Sequence, residues 1–279
     1  MPTGTMANIV GLMSHCRKKG DAAIIGHLSH INNWERGNIA SLGHIMPQTV
    51  QNQPDGTMDL DEIDFFCRDA DPHLTTTRAI ALETTHNDCG GRVLTMDYIK
   101  KVKKLAKKNK MKMHLDGARC LNAAVSLGIT PAEMVKDFDT VSVCLSKGLG
   151  CPIGSVLAGP EKDLKHFYVL RKLLGGNLRQ AGILTKAALV NLEDWELKLA
   201  EDHRKAQWFA EELSKISCID IDLSVIETNI FSYQFKPDFK KFKHDSFATT
   251  MRDNHGILMN CGFKDASLRV VTHRDLSQK

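Results

Sequence analysis

The sequence predicts an α/β fold: a mostly parallel sheet covered by helices on both faces, followed by a smaller C-terminal α+β domain. Three observations predict it. Short runs such as Ala22 to Ile25, Arg78 to Glu83 and Thr140 to Ser146 are apolar with little alternation, as expected of strands buried on both faces. The segments between them carry apolar residues at helical spacing, for example Ile99, Val102, Leu105 and Ala106. After Gly182 the pattern changes: helix-favouring sequence runs to about Ile216, and then strand-like stretches dominate.

Taken in order, Pro2-Thr3-Gly4-Thr5 precedes a helix whose apolar positions are Ile9, Leu12, Met13 and Cys16. Strands are expected at 22–25, 78–83, 111–115, 140–146 and 153–158. A helix from Ala118 to about Leu127 and a further helical turn from Pro131 to Phe138 make residues 111–146 a βαβ-like crossover. In the second part, strands are expected at 218–223, 228–235 and 267–273, with a helix near 246–258. This divides the chain into a large part, 1–185, and a smaller one, 186–279, that begins with a long connecting helix. No internal repeat or low-complexity stretch interrupts the pattern.

Composition bounds the function classes. A chain of 279 residues, 42% hydrophobic and 25% charged, is ordinary for a globular protein with a substantial core. It has no long apolar span and no secretory signal pattern, which argues against a membrane role. Formal charge is only +4, and the lysines from Lys100 to Lys110 fall on the outer face of one helix, so they read as a solvated surface rather than a nucleic-acid site. The eight cysteines, at 16, 67, 89, 120, 144, 151, 218 and 261, form no Cys-x-x-Cys pair and read as reduced thiols of a cytoplasmic protein.

Chemistry enters with Lys147. It ends the apolar run from Thr140 and opens the turn Gly148-Leu149-Gly150-Cys151-Pro152-Ile153-Gly154. An ammonium at the end of a buried strand is partly desolvated, and its amine is then available to attack a carbonyl. The plain alternative is a lysine that extends to water. Asp116 lies one crossover earlier, again where a parallel strand ends, and open α/β sheets bind ligands at those ends. An amine and a carboxylate facing one crevice point to pyridoxal phosphate, with Lys147 holding the aldehyde as a Schiff base and Asp116 keeping the pyridine nitrogen protonated. Gly4 and Thr5 at a helix start supply a candidate phosphate site, although Gly-Thr there is more often only a cap. The Gly148 turn lacks the Gly-x-Gly-x-x-Gly spacing of nicotinamide sites. His27 and His30 have no nearby cysteine or carboxylate in sequence to complete a metal set, so no metal is expected.

Several segments carry a family resemblance. Pro2-Thr3-Gly4-Thr5, Glu83-Thr84-Thr85-His86-Asn87, His114-Leu115-Asp116-Gly117-Ala118-Arg119, residues 144–150, residues 175–180 and residues 269–275 resemble successive motifs of the low-specificity L-threonine aldolases, in order and spacing. The resemblance implies an aminotransferase-like fold type I, pyridoxal 5'-phosphate, and cleavage of L-threonine or L-allo-threonine to glycine and acetaldehyde. It implies Lys147 as the Schiff-base lysine, Asp116 at the ring nitrogen, Gly4 and Thr5 at the phosphate, and Arg119 at the phenolic oxygen and substrate carboxylate. Arg269 would be the second carboxylate clamp, His30 the imidazole stacked on the ring, and His86 the one near the substrate hydroxyl. His86, or water held by it and His30, is the candidate base. Arg179 would reach the phosphate of a neighbouring subunit in a homotetramer built as a dimer of dimers. The resemblance also implies an upstream segment with a carboxylate-binding serine and a final helix, neither of which has a counterpart in this sequence. Two alternatives therefore stand beside the aldolase: a truncated, catalytically impaired paralogue, and another pyridoxal-phosphate β-lyase.

Overall fold

The computed structural model describes residues 1–67, 71–239, 244–258 and 267–277. Its elements run α1 (Gly4–His15), β1 (Asp21–Gly26), α2 (His30–Asn33), α3 (Asn38–Ser41), β2 (Met46–Val50), α4 (Leu60–Phe66), β3 (Thr76–Glu83), α5 (Met96–Lys108), β4 (Lys112–Asp116), α6 (Cys120–Leu127), α7 (Pro131–Val135), β5 (Thr140–Cys144) and β6 (Ser155–Ala158). Then follow α8 (Leu164–Leu173), α9 (Gly182–Asn191), α10 (Trp195–Ser214), β7 (Ile219–Asp220), β8 (Ile230–Phe235), α11 (His244–His255) and β9 (Leu268–Val271).

The first six strands form one sheet in the order β2-β1-β3-β4-β5-β6, parallel throughout except for the antiparallel β5–β6 pair. One face carries the larger core, in which Ile80, Leu82, Met113 and Leu115 pack with Ile99, Val102 and Ala106 of α5 and with Ala123 and Ala124 of α6. The other face buries Ala23, Ile25, Ala79 and Ala81 against Leu12 of α1, Ile31 of α2 and Ile39 of α3. Strands β1 and β3, apolar on both covered faces, barely alternate in sequence, whereas β4 and β5 alternate because they turn His114, Asp116, Thr140 and Ser142 towards the face that α1 covers. A second sheet, β7-β8-β9, is antiparallel and packs Phe231, Tyr233 and Leu268 against Ala206 and Ala210 of α10.

Capping is written into the sequence. Thr95 caps α5 by accepting from the Tyr98 amide at 3.2 Å, and Thr130 with Glu133 forms a reciprocal capping box before Pro131. The lysine-rich face of α5 is solvated, with Lys108 paired to Asp64 and Lys103 to Asp139.

Four sequence expectations are corrected. Strand β2 was not anticipated: it is an edge strand containing Pro47, where an unpaired side makes the missing N–H cheap. The segment at 153–158 yields a short antiparallel β6. The long connecting helix is two helices, α9 and α10, separated at residues 192–194, where Asp194 takes a left-handed φ of 53°. The helix expected from Ala118 starts at Cys120, which leaves Arg119 at its N-cap. Seven described cysteines are free thiols, and Cys261 lies outside the described residues. Among the described residues no helix is long and apolar enough to cross a membrane.

Candidate active site

Strand order places the site. Chain direction through the sheet reverses beside β1, with β2 on one side and β3 on the other, and at such a switch point a crevice opens beyond the carboxyl ends of the strands. His30 follows β1, Glu83 ends β3, Asp116 ends β4 and Cys144 ends β5.

Asp116 is 2% exposed and pairs in register with Ser142 of β5. Side chains two apart on a strand share a face, so Asp116, Ser142 and Cys144 all point the same way. Gly4 lies against Cys144, where an added Cβ would sit 2.6 Å from its Sγ, so only glycine lets the chain pass this close. Burial raises the Cys144 thiol pKa; the Lys147 ammonium opposes that rise, Asp116 adds to it and Arg119 opposes it. Lys147, Asp116 and Arg119 each act on the charge of this thiol, and Gly4 packs against it. Lys147 itself is half-buried and stands three residues past β5, just beyond the Leu145 amide, whose bond to the Gly154 carbonyl at 3.0 Å extends the β5–β6 pairing by one residue. Arg274 braces the turn: it donates to the Gly148 carbonyl at 3.0 Å and lies beneath Gly150, whose φ is +70°.

A buried polar cluster surrounds Asp116. The Asn8 Nδ2 donates to Asp116 Oδ2 and to Glu35 Oε1, each at 2.8 Å. Its Oδ1 accepts from Ser142 Oγ at 2.6 Å and faces His114 Nε2 at 3.2 Å. Glu35 also meets His30 Nδ1 at 2.9 Å, and this hydrogen bond raises the His30 pKa above its ordinary value. Burial raises the Glu35 carboxyl as well. Ligand atoms of His30, Glu35 and Asp116 lie within 4.8 Å of one another, close enough on distance alone for a metal. The Asn8 amide protons point into that cluster, however, and they already do what a cation would do there.

Arg119 and Arg269 meet on Asn87. Its Oδ1 accepts from Arg119 NH1 at 3.3 Å and from Arg269 NH1, so β9 of the second sheet meets the loop after β3. Burial lowers the pKa of both guanidinium groups, and Arg269 lowers that of Arg119 further. Glu83 holds the loop by accepting from the amides of His30 at 2.6 Å and Asn87 at 2.9 Å.

Two predicted residues make none of these hydrogen bonds among the described residues. His86 is 1% exposed and, among the described residues, neither ring nitrogen has a hydrogen-bond partner. Arg179 is exposed in the loop between α8 and α9. At the start of α1 the Thr3 hydroxyl caps the Met6 amide at 3.1 Å, and the amides of Gly4 and Thr5 belong to the first turn, which has no helical acceptors.

Known proteins share this arrangement of sequence. A family model described as beta-eliminating lyase matches residues 1–235. A probable low-specificity L-threonine aldolase 2 of Arabidopsis thaliana is 41% identical, over 99% of this chain and 78% of its own length. The low specificity L-threonine aldolase of Escherichia coli (strain K12) is 35% identical, over 100% of this chain and 79% of its own.

The chain belongs to the low-specificity L-threonine aldolase family.

These aldolases are pyridoxal-phosphate-dependent lyases, and the fold agrees: a putative L-allo-threonine aldolase from Listeria monocytogenes superposes with a TM-score of 0.80 at 22% identity, covering 98% of this chain and 75% of that one. The site of this aldolase family member fits the cofactor on its own geometry. It has a glycine approach that a Cβ would block, first-turn amides for an anion, a buried carboxylate and a neighbouring amine. Sequence reasoning gave no role to Asn8, Glu35, Ser142, His114 or Arg274, although His114 and Arg274 stand within the quoted motifs and Ser142 within a quoted strand. Asn8 and Glu35 lie outside all of them.

Proposed function

We propose that this protein cleaves the Cα–Cβ bond of L-threonine and L-allo-threonine, giving glycine and acetaldehyde, with pyridoxal phosphate held by Lys147. The observation that carries the reading is that Asp116 ends β4 in register with Ser142 of β5, that Gly4 packs against Cys144 where β5 ends, and that Lys147 lies in the turn just beyond. When bound, the cofactor ring accepts the electron pair released at the substrate's Cα.

The chain's own residues do the rest. Gly4 and Thr5 bind the phosphate with first-turn amides and a hydroxyl. Asp116 holds the proton on the ring nitrogen. Arg119 and Arg269, which already share Asn87, grip the substrate carboxylate, a task for which two planar forks suit better than ammonium groups. His30 would lie against the cofactor ring, and its Nδ1 contact with Glu35 leaves Nε2 for the substrate hydroxyl or a water on it. The sealed His86 acts beside it by shaping the Thr84–Asn87 loop against which that hydroxyl lies.

The same reading assigns residues 1–185 to cofactor binding and 186–279 to the connecting helices and a smaller part that lends Arg269. It makes the protein a homotetramer, a dimer of dimers in a reducing cytoplasmic compartment. Leu173, Ile183, Leu189 and Val190 on α8 and α9 are exposed apolar side chains around Arg179, the pattern of a subunit contact. Purified protein should be yellow and release acetaldehyde and glycine from L-allo-threonine, and Lys147→Ala should remove both the colour and the turnover. Colour without glycine, or pyruvate and ammonia from serine, would redirect the assignment to another lyase.

A further inference from the structure

We propose that Asn8 is a positioning residue, whose locked side-chain amide ties the Asp116 carboxylate to the His30–Glu35 pair so that the two sites share one hydrogen-bonded frame. The proposal rests on the reading that Asp116 meets the cofactor's ring nitrogen.

Donor and acceptor counting fixes the amide. Asn8 Oδ1 lies 2.6 Å from Ser142 Oγ and 3.2 Å from His114 Nε2, both able to donate, whereas Nδ2 lies 2.8 Å from two carboxylate oxygens, which can only accept when ionised. Turning the amide over would set its oxygen against both carboxylates. The direction continues outward. With Nε2 donating to Asn8, His114 Nδ1 must accept from Thr140 Oγ1 at 2.9 Å, and Thr140 in turn accepts from His15 Nε2 at 2.8 Å. A single run of donors therefore points from His15 at the surface to Asp116 and Glu35 within. His30 Nδ1 completes it by donating to Glu35, which leaves Nε2 as the ring's acceptor.

Other groups act on the same cluster. Arg119 and Cys120 follow Asp116 on its own segment, Cys144 with Lys147 faces it from β5 and the turn beyond, His114 lies on β4, and Glu83 acts on His30 from β3. None of these offers a neutral donor to both carboxylates at once. Asn8 alone among the described residues does so.

Removing the amide should make the Glu35 carboxylate a stronger base, since the Asn8 hydrogen bond holds it down. Full-length protein carrying ¹³C at Glu carboxyl carbons can be titrated by NMR with and without pyridoxal phosphate, with Glu35→Gln assigning the signal. In Asn8→Leu its midpoint should rise by about one pH unit, the scale of a lost hydrogen bond to a charged group. In the loaded protein kcat should fall about tenfold while KM stays within about twofold, as for a group that acts on the ring rather than on substrate grip. Where Asn8→Leu fails to fold, Asn8→Asp keeps the shape but puts an acid where the amide donated, so the Glu35 midpoint must still rise. A Glu35 midpoint within about 0.3 of wild type, or an unchanged kcat, in a folded variant overturns the proposal. A wild type that binds no cofactor while the Glu35 shift persists overturns the cofactor reading instead and leaves the coupling intact.

Discussion

His114 should add an acid sensitivity of its own, beside that of the half-buried His15 and His203, and substituting it should remove that share. Its ring is 0% exposed, and burial first, then the neighbouring His15, pushes its pKa from 6.5 down to about 3. Between pH 7 and 5 the folded protein keeps it neutral, while in the unfolded chain it takes up a proton as the pH falls through 6.5. The unfolded state then binds more protons, so this contribution to stability is complete above pH 6.5 and is lost on the way down towards pH 3. At about 1.4 kcal/mol per pH unit, the loss from pH 7 to pH 5 amounts to about 2 kcal/mol once the partial titration near 6.5 is included. Asp202 works the other way: burial raises it to about 6, so its contribution improves as the pH falls from 6 towards its ordinary value. A difference measurement cancels that effect. His114→Gln keeps a donor for Asn8 but does not titrate. Equilibrium urea unfolding at pH 7 and pH 5, at one fixed protein concentration, should show wild type losing about 2 kcal/mol more than His114→Gln. Losses that agree within about 0.5 kcal/mol would refute the reasoning.

Gly91 has a φ of +78°, and an added Cβ would meet Ile230 Cβ and carbonyl oxygen at 2.7 Å, so Gly91→Ala should cost about 3 kcal/mol and lower Tm by roughly 6 to 12 °C. Because the Glu35 hydrogen bond holds the His30 pKa up, the acid limb of kcat/KM should lie above pH 6.5, and Glu35→Gln should move it down by about one pH unit; an unmoved limb would take His30 out of the base role. Ile183→Asp on α9, where the side chain is 79% exposed, should leave the fold intact by circular dichroism and halve or quarter the mass seen by light scattering. A mass equal to wild type would mean that α9 is not a subunit contact.

The parallel core was legible because burial on both faces leaves an apolar signature: Ala22 to Ile25 announces a strand without any tertiary knowledge, and Val141, Val143 and Leu145 mark β5 even though Thr140 and Ser142 stand between them. Strand β2 was not, since Met46 is 54% exposed and the strand's pairing partner, β1, is what makes it a strand at all. The antiparallel turn into β6 leaves no local mark either, because one strand reads the same in either direction. At the site, Lys147, Asp116 and Arg269 were visible as charges at strand ends or within short motifs. Asn8 and Glu35 were not, because an asparagine or glutamate near a helix ordinarily faces water. Their burial is a product of which helix lies on which strand, and that information is spread over more than a hundred residues of sequence.

Helix α1 shows why such residues go unseen. Its apolar positions Ile9, Leu12 and Cys16 suggested one buried face, yet Asn8, Gly11 and Ser14 are buried too. Gly4, Asn8, Gly11 and His15 recur every three or four residues and form a second stripe along the helix. Each meets the sheet in turn. Gly4 lies against Cys144, Asn8 against Asp116 and Ser142, Gly11 within 2.5 Å of His114 Cε1 if it carried a Cβ, and His15 against Thr140. The stripe therefore runs antiparallel to β5, from its carboxyl end back to its start. Two glycines let the helix backbone approach closely, and two polar side chains between and beyond them satisfy groups that no strand neighbour can reach. An apolar stripe there would leave Asp116 Oδ2 and His114 Nε2 buried without the Asn8 amide they now meet, at a cost of about 1 to 3 kcal/mol or more for each orphaned group. Hydrophobic periodicity registers only what leaves water for hydrocarbon, whereas this face of α1 leaves water for hydrogen bonds, and it is this face that holds the carboxylate in place.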